Sequence, residues 1–208
     1  MKIIFDHTNG FVIDDKIFCE VWVELNGEKP EELLQNGFLP SSKKDFWYQA
    51  QSCRINCENI TLSYKRRKII SKLTYDILNY GSIIDQVDSF FSKYMENRNL
   101  SFQESYKKNS ELFELKVMEI KLKNKVVAYV RFSEFDNVLL QTENAYDTNI
   151  GNGLSLGTNS MLLLSLYGNS IKKKYTYIYE SYKDYFSYKM TIPNIEYWEG
   201  EKWMSCDI

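Results

Sequence analysis

The sequence offers few of the residues on which most metal and nucleophile sites depend. Its 208 residues include a single histidine, His7, and four cysteines. A serine nucleophile activated by histidine is excluded in practice, because His7 lies far in sequence from every candidate residue named below. Cys53 and Cys57 are four positions apart, unlike the usual C-x2-C pair, and no second pair follows. We expect reduced, buried thiols, with no metal and no disulfide framework.

Long apolar runs are also absent. No stretch of roughly 18 apolar residues occurs, so the sequence predicts no transmembrane helix and no membrane partner. Asp6 interrupts the N-terminal apolar stretch before the core of a signal peptide can form. The formal net charge is −2, so any contact with RNA requires a local basic patch. We therefore expect a cytoplasmic protein.

The pattern of apolar residues changes period along the chain. Hydrophobic residues make up 44% of the sequence, enough for a sizeable core, and they recur at helical spacing over 83–98. Further helices are expected over 31–35 and 102–109, and Lys123-Asn124 predicts a tight hairpin. Alternation and β-branched residues predict the strands. These are several short strands in 1–25, one beginning at Phe46, and strands over 53–62, 111–121, 126–133 and 138–145.

The strongest functional pattern lies between Tyr146 and Lys189. A glycine turn with Gly151 and Gly153 follows the strand over 138–145 and opens a helix near Ser155. The helix is expected over 158–169, apolar nearly all round and so buried between layers. Strands over 175–180 and 192–198 follow. Strand, turn, helix and return strand form a β-α-β unit, which presents free backbone N–H groups at the helix start to an anion or a carbonyl.

This order of elements predicts an α+β protein with a mixed, mostly antiparallel sheet and flanking helices. It resembles the plan of the GNAT-like acyltransferase fold, in which an acyl donor enters between two splayed strands beside a helix N-terminus. We expect one domain over 1–208. Its parts are N-terminal strands over 1–30, which either belong to it or extend it, a helical segment over 83–110, and a core meander with the donor site over 111–205.

Several motifs occur in the order typical of one family. The chain resembles the C-terminal domain of arginyl-tRNA–protein transferases and bacterial aspartate/glutamate leucyltransferases, GNAT-like enzymes that use aminoacyl-tRNA in place of acyl-CoA. The matching motifs are Leu33–Phe38, Arg54-Ile55, Ser63–Lys68, Ala145-Tyr146-Asp147, Ser155-Leu156-Gly157-Thr158, Tyr175–Tyr179, Tyr188-Lys189, Glu196 and Trp203. The match covers roughly 31–70 and 110–205.

The chain also departs from that family. The cysteine cluster before the Arg-Ile strand is missing, and Leu154 replaces the basic residue before the Ser-Leu-Gly-Thr motif. Tyr179-Glu180 stands where the family has a glycine after the return strand, and the loop before Tyr188 is shorter. These differences concern the acceptor, an acidic protein N-terminus in the family, more than the donor.

The resemblance implies an aminoacyl-tRNA donor, no cofactor and no metal. Backbone N–H groups of Ser155, Leu156, Gly157 and Thr158 are candidates to polarise the ester carbonyl or bind the terminal ribose-phosphate. The alternative is that Ser155 or Thr158 only caps the helix and Gly157 only permits close packing.

Other side chains are candidates for the remaining roles. The candidates to contact phosphates of the acceptor stem and the 3′ end are Lys65, Arg66, Arg67, Lys68 and Lys189. The alternative is that the basic cluster is only a solvated surface. Aromatic stacking on the terminal adenine or the aminoacyl group is assigned to Tyr146, Tyr179 and Tyr188, with packing as the alternative for each. The catalytic centre is assigned to Tyr146, Asp147 and Glu180, whose carboxylates would bind the acceptor amine or accept its proton unless they are only ion-paired.

Three functions stay open on the sequence. The first is an aminoacyl-tRNA-dependent aminoacyltransferase that forms an amide on a protein, peptide or small-molecule amine. The second is a GNAT N-acyltransferase that uses acyl-CoA, although the turn Asn149–Gly153 lacks the basic first residue of the usual pyrophosphate loop. The third is a catalytically silent descendant that binds RNA or a partner protein.

Overall fold

The computed structural model describes residues 2–5, 11–13, 16–18, 21–24, 27–41, 46–98, 113–150, 152–180 and 187–206. His7, Cys19, Gly151 and the helix expected over 102–109 lie outside these residues. No helix in the described ranges is long and apolar enough to cross a membrane.

The main sheet has eight strands, all from the part of the chain that begins at Ser52. Its strands are β7 (Ser52–Asn56), β8 (Leu73–Asn79), β9 (Leu115–Leu122), β10 (Lys125–Glu134), β11 (Val138–Tyr146), β12 (Tyr175–Glu180), β13 (Ile195–Trp198) and β14 (Trp203–Ser205). Their spatial order is β14-β13-β7-β12-β11-β10-β9-β8. The β11–β12 pair is parallel and every other neighbouring pair is antiparallel. The mixed, mostly antiparallel sheet is therefore confirmed.

The N-terminal strands form smaller sheets. They are β1 (Lys2–Phe5), β2 (Phe11–Ile13), β3 (Lys16–Phe18), β4 (Val21–Glu24), β5 (Phe38–Pro40) and β6 (Phe46–Gln49). β2 pairs with β3, and the other four pair in the order β1-β4-β6-β5. Trp47 and Val23 of this second sheet are buried with Leu140 and Tyr177 of the main sheet, so the two sheets share a core.

Helices cover both faces of the main sheet. They are α1 (Pro30–Gln35), α2 (Tyr64–Ile70), α3 (Ile84–Asn97) and α4 (Leu156–Ser170). α4 packs against Met118 and Val130 on one face, and α3 packs against Val117 and Tyr129 on the other. Because neighbouring residues of a strand point to opposite faces, the two helices lie on opposite sides of the sheet. This is the α+β arrangement predicted from the sequence.

The differences from the sequence prediction lie mostly at edges. β8 and β14, the two edge strands of the main sheet, were not predicted, since solvent-facing residues interrupt the alternation: Thr74, Tyr75 and Asp76 in β8 are all exposed. The strand expected over 53–62 ends at Asn56. The hairpin at Lys123-Asn124 is confirmed, and both residues have positive φ, as a type I′ turn requires.

Candidate active site

A split in the main sheet lies between β11 and β12. The two strands pair in parallel over Val138–Leu140 only, although β11 continues to Tyr146. On β11, Thr142 is an extra residue, because Glu143 pairs with Arg131 whereas Gln141 pairs with Phe132. A bulge of this kind bends the strand and interrupts the ladder. Beyond Leu140, β11 therefore presents an open backbone edge.

β12 bends at the same level. Tyr179 has φ of 62°, in the left-handed region, and the pairing of β12 with β7 skips from Tyr177 to Glu180. Such a conformation is uncommon for a residue with a bulky side chain. The ring of Tyr179 packs against the core that contains Trp47 and Tyr177. The structure therefore places the Tyr179 ring in a packing position, and its predicted stacking role stays a prediction.

Lys189 supports the bend in β12. It belongs to a 3₁₀ turn over Ser187–Thr191, is 5% exposed, and donates from Nζ to the carbonyl oxygens of Ile178 and Glu180 at 2.8 and 2.7 Å. Burial lowers the pKa of its ammonium group. The prediction that Lys189 contacts phosphate needs correction, because the side chain is buried and its ammonium is directed at the carbonyls on either side of Tyr179.

The N-terminus of α4 adjoins the split. Ser155 precedes the helix with φ of 43° and ψ of 49°, and its side chain makes no capping hydrogen bond. Thr158 Oγ1 donates to the Ser155 carbonyl at 3.1 Å instead of accepting from the backbone. The prediction that Ser155 or Thr158 caps the helix is wrong, because a capping serine needs extended backbone. The N–H groups of the first turn have no partner within the helix and can donate hydrogen bonds to a ligand.

Gly157 allows β11 to approach this helix closely. A Cβ at Gly157 would lie 3.1 Å from Cε1 of Tyr146, and Asn144 Nδ2 donates to the Gly157 carbonyl at 2.9 Å. Close packing through Gly157 is therefore confirmed. The side chain of Leu156 is 5% exposed and belongs to the core under α4, so only its backbone N–H can meet a ligand.

Three tyrosines gather at the end of β11. We call Tyr94, Tyr146 and Tyr188 the tyrosine cluster. The ring centroids of Tyr94 and Tyr146 are 5.1 Å apart, and Arg98 Nη1 donates to the Tyr146 hydroxyl at 3.4 Å. Burial raises the pKa of Tyr94 to about 12 and also raises that of Tyr188; in both cases Tyr146 adds to the shift and Arg98 opposes it. The hydroxyls of Tyr94 and Tyr188 therefore remain protonated donors near neutral pH.

The two candidate carboxylates have different surroundings. Asp147 accepts from Lys125 Nζ at 3.1 Å and from the Asn149 backbone N–H at 3.0 Å. Burial alone would raise the pKa of Asp147, but these two partners outweigh it and lower the pKa. Glu180 accepts from the Tyr48 hydroxyl at 3.2 Å, at the end of β12 past the bend. Asp147 thus belongs to an ion-paired turn, whereas Glu180 lies on the diverging strand.

The predicted basic cluster forms α2. Ser63 caps this helix by accepting from the Arg66 N–H at 3.3 Å. Arg66 turns inward and donates to the Thr191 carbonyl at 2.8 Å, which ties α2 to the turn that carries Lys189. The side chains of Lys65, Arg67 and Lys68 are exposed, and they make no ion pair within the described part of the chain. Lys65, Arg67 and Lys68 form the exposed basic face of α2.

Sequence reasoning missed two groups of residues. Tyr94 and Arg98 come from α3, which showed only a packing pattern, and nothing local marks them. The second group surrounds Arg54, whose Nε lies 2.6 Å from Glu196 Oε2 and whose guanidinium lies 3.7 Å from the Tyr175 ring and 4.1 Å from the Trp203 ring. In the sequence, Arg54, Glu196 and Trp203 were noted only as motifs of the family. That resemblance was the only signal that they come together across β7, β13 and β14.

A cleft of about 320 Å³ lies elsewhere. It is lined by Glu114, Lys116, Glu134, Phe135, Asp136 and Lys173, near the start of β11. Three of its charged residues pair with one another, since Glu134 lies 2.6 Å from Lys116 and 3.1 Å from Lys173. The candidate site lies at the other end of β11, so this cleft contains none of its residues.

No cluster of three potential metal ligands occurs in the ranges that the structure describes. Cys53 and Cys57 are buried free thiols, as predicted. Burial raises the pKa of Cys57 to about 11, which keeps its thiol protonated. That the protein needs no metal and no cofactor stays a prediction.

The split between two parallel neighbours, the helix start beside it and the mixed sheet define a fold of the GNAT acyltransferase type. FemX has this fold in common with the chain: the two are 6% identical, with a TM-score of 0.50 over 74% of this chain and 60% of FemX. The C-terminal DUF2156 domain assigned to a lysylphosphatidylglycerol synthetase of Agrobacterium fabrum is 10% identical, with a TM-score of 0.48 over 74% of this chain and 51% of that one. L-PGS of Bacillus licheniformis is 12% identical, with a TM-score of 0.45 over 62% and 44%.

At these identities the similarity establishes the fold alone. The chain spans about half the length of these three solved structures, from 44% of L-PGS to 60% of FemX. No protein-family model matches the chain, and no curated protein matches it. The arginyl-tRNA–protein transferase resemblance therefore remains an interpretation of the sequence motifs.

Proposed function

We propose that this protein is an aminoacyl-tRNA-dependent aminoacyltransferase that forms an amide on an amine-bearing acceptor. The observation that carries the proposal is an open split beside a helix start without a side-chain cap, together with a helix, α2, that exposes three cations. The split suits an acyl donor, and the exposed basic face of α2 suits a polyanion. On a chain of formal net charge −2, three neighbouring cations that make no ion pair with the described residues favour phosphate contact.

The chemistry needs only positioning, polarisation and one proton acceptor. The acceptor amine attacks the ester carbonyl carbon, a C–N bond forms, and the bond from that carbon to the ribose oxygen breaks. The amine loses one proton, and the ribose hydroxyl leaves with one. First-turn N–H groups of Leu156, Gly157 and Thr158 are placed to stabilise negative charge on the carbonyl oxygen, as in an oxyanion hole.

Glu180 is the better candidate for the proton acceptor. It lies on β12 beyond the bend, next to the split, and its contact with the Tyr48 hydroxyl orients it. Asp147 is a weaker base near neutral pH, because its pKa is lowered and Lys125 neutralises it. We therefore place Glu180 at the reacting centre and Asp147 in the turn that follows β11.

The direct test uses tRNAs charged with amino acids that carry an isotopic label. The protein is mixed with each charged tRNA and with a peptide amine, and binding, deacylation and transfer of label are measured. Binding together with transfer supports the proposal. Neither binding nor deacylation with any charged tRNA would contradict it. Glu180→Gln is expected to lower transfer more than tRNA binding, with Asp147→Asn as the matched control.

An acyl-CoA-dependent GNAT N-acyltransferase is the second candidate. The observation in its favour is the uncapped start of α4, because backbone N–H groups at a helix N-terminus bind a diphosphate as readily as a ribose-phosphate. Thermal stabilisation by acetyl-CoA but not by charged tRNA would favour this candidate over the first.

A further inference from the structure

Arg98 differs from the other arginines around the sheet. It lies at the C-terminal end of α3 and its side chain is exposed. Arg54 and Arg131 each contact a carboxylate. Within the described ranges, the polar contact that Arg98 makes is to a neutral group, the Tyr146 hydroxyl at 3.4 Å, and it forms no ion pair. A guanidinium carries five N–H donors, so most of its donors are directed to solvent or to a ligand.

The surroundings of Arg98 indicate the kind of ligand. An exposed guanidinium beside phenol hydroxyls is a set of hydrogen-bond donors, which suits an oxyanion. The aromatic rings of the tyrosine cluster add faces on which a base can stack, and Tyr188 is 45% exposed. An acidic peptide would use the donors but not the rings. A phosphate joined to a planar base uses both, so a nucleotide fits this group better than a peptide carboxylate.

The position of the cluster agrees with this ligand. Tyr146 ends β11, on the open side of the split, and its ring contacts Gly157 in the first turn of α4. A donor whose ester carbonyl lies in the split would carry its terminal nucleotide a few ångströms away. Tyr188 belongs to the same 3₁₀ turn that Arg66 fastens to α2. The turn that carries Tyr188 is therefore in contact with α2, the helix whose exposed face is basic.

We propose that Arg98 and the tyrosine cluster form a subsite for the terminal nucleotide of the donor, with Arg98 on the phosphate and Tyr188 on the base. Tyr94 and Tyr146 complete the subsite as hydroxyl donors and as its wall. This inference rests on the proposed function insofar as the nucleotide belongs to tRNA. The subsite itself is defined by a nucleoside monophosphate.

The test compares adenosine 5′-monophosphate, adenosine and inorganic phosphate as probes. Binding is measured by calorimetry. The binding site is located by the NMR signals of isotope-labelled tyrosine rings, which are assigned with the variants Tyr94→Phe, Tyr146→Phe and Tyr188→Phe. Arg98→Gln is expected to weaken binding of the monophosphate about tenfold or more, because a hydrogen bond to a charged group is lost, and to leave adenosine binding unchanged. Lys93→Gln, an exposed cation on the same helix, is the matched control and should change neither.

A second variant separates the base from the phosphate. Tyr188→Ala is expected to weaken both the monophosphate and adenosine by about fivefold or more, since stacking on a base is lost, whereas Tyr188→Phe keeps the ring and most of the affinity. Equal weakening by the alanine and phenylalanine changes would contradict a stacking role. Circular dichroism of each variant verifies that it is folded, which is expected because Arg98 and Tyr188 are exposed.

The outcomes distinguish the subsite from the proposed function. If charged tRNA binds but the monophosphate changes none of the three ring signals, the subsite is overturned and the proposed function still stands. Arg98-dependent binding of the monophosphate without any tRNA binding supports the subsite and contradicts the proposed function. Binding of an acidic peptide at these rings in preference to the monophosphate overturns the subsite as well.

Discussion

The basic side chains of this protein fall into two groups that differ in what their charges face. Arg131 is 2% exposed and contacts Glu143, Asp88 and the Tyr80 hydroxyl, so its charge faces groups inside the protein. Lys65, Arg67, Lys68 and Arg98 are exposed and make no ion pair within the described residues. Charges of the first kind hold strands and helices together. Charges of the second kind add little to folding and are available to an anionic ligand.

The largest expected effect concerns the buried group. Arg131→Met removes a buried guanidinium and leaves Glu143, Asp88 and the Tyr80 hydroxyl without that partner, and we expect the free energy of unfolding to fall by about 3–5 kcal/mol. Urea unfolding measures it. The control is Lys125→Met, which breaks an ion pair whose lysine is 72% exposed and should cost less than about 1 kcal/mol. Equal losses in the two variants would contradict the distinction between the groups.

The same network predicts a pH dependence. Burial raises the pKa of Glu143 to about 8, although the charge of Arg131 opposes the shift. Between the ordinary value of 4.5 and about 8, the folded protein binds a proton that the unfolded chain releases. Stability from this group is therefore present at low pH and falls as the pH rises through that window, by an amount on the order of a few kcal/mol.

Glu143→Gln tests this directly, because glutamine keeps the shape and does not titrate. Unfolding by urea at a series of pH values between 5 and 8 should show a flatter profile in the variant than in the parent protein. A parent profile that rises with pH over this range would show that Glu143 is ionised in the folded state. Asp88→Asn, at the edge of the network, is the control.

Features of the fold and the site were predictable from the sequence where the residues that form them lie close together along the chain. The β-α-β unit was predictable because its glycine turn, its apolar run and its return strand are contiguous, and β12 does pair in parallel with β11. The two groups of charges were not distinguishable, because pairing is decided by residues far along the chain. Arg98 and Tyr146 are 48 positions apart, and Arg54 and Glu196 are 142 apart.

Local rules also failed where the backbone is unusual. Serine before a helix normally caps it, but Ser155 has left-handed backbone and does not. Tyr179 has positive φ where strand continuity would be expected. Both residues flank the split, and departures from local preference often mark functional sites. These two failures of local prediction therefore lie at the candidate site, whereas the missed strands β8 and β14 lie at the edges of the main sheet.

An intermediate effect is expected at Lys189, a buried cation that donates to two backbone carbonyls. Lys189→Met leaves the Ile178 and Glu180 carbonyls without their donor, and we expect a loss of about 2–3 kcal/mol in the free energy of unfolding. Lys202→Met, at an exposed position, should change it by less than about 0.5 kcal/mol. If the variant is as stable as the parent, the ammonium does not hold the bend of β12.

The smallest expected effect on stability concerns the exposed basic face of α2, whose loss should instead weaken tRNA binding. Replacing Lys65, Arg67 and Lys68 with glutamine should leave the free energy of unfolding within about 0.5 kcal/mol of the parent, because these side chains are exposed and unpaired in the described structure. Affinity for tRNA should fall about tenfold near 100 mM salt, and the slope of log affinity against log salt should decrease by about 2 to 3.

A matched variant decides whether this loss is local or reflects net charge. Replacing the exposed Lys123, Lys172 and Lys202 with glutamine also removes three positive charges, so both variants change the formal net charge from −2 to −5. If α2 contacts phosphate, the slope of log affinity against log salt decreases in the first variant and is unchanged in the second. Equal losses would assign tRNA binding to the general field of the protein, and the unpaired cations of α2 would then be a solvated surface.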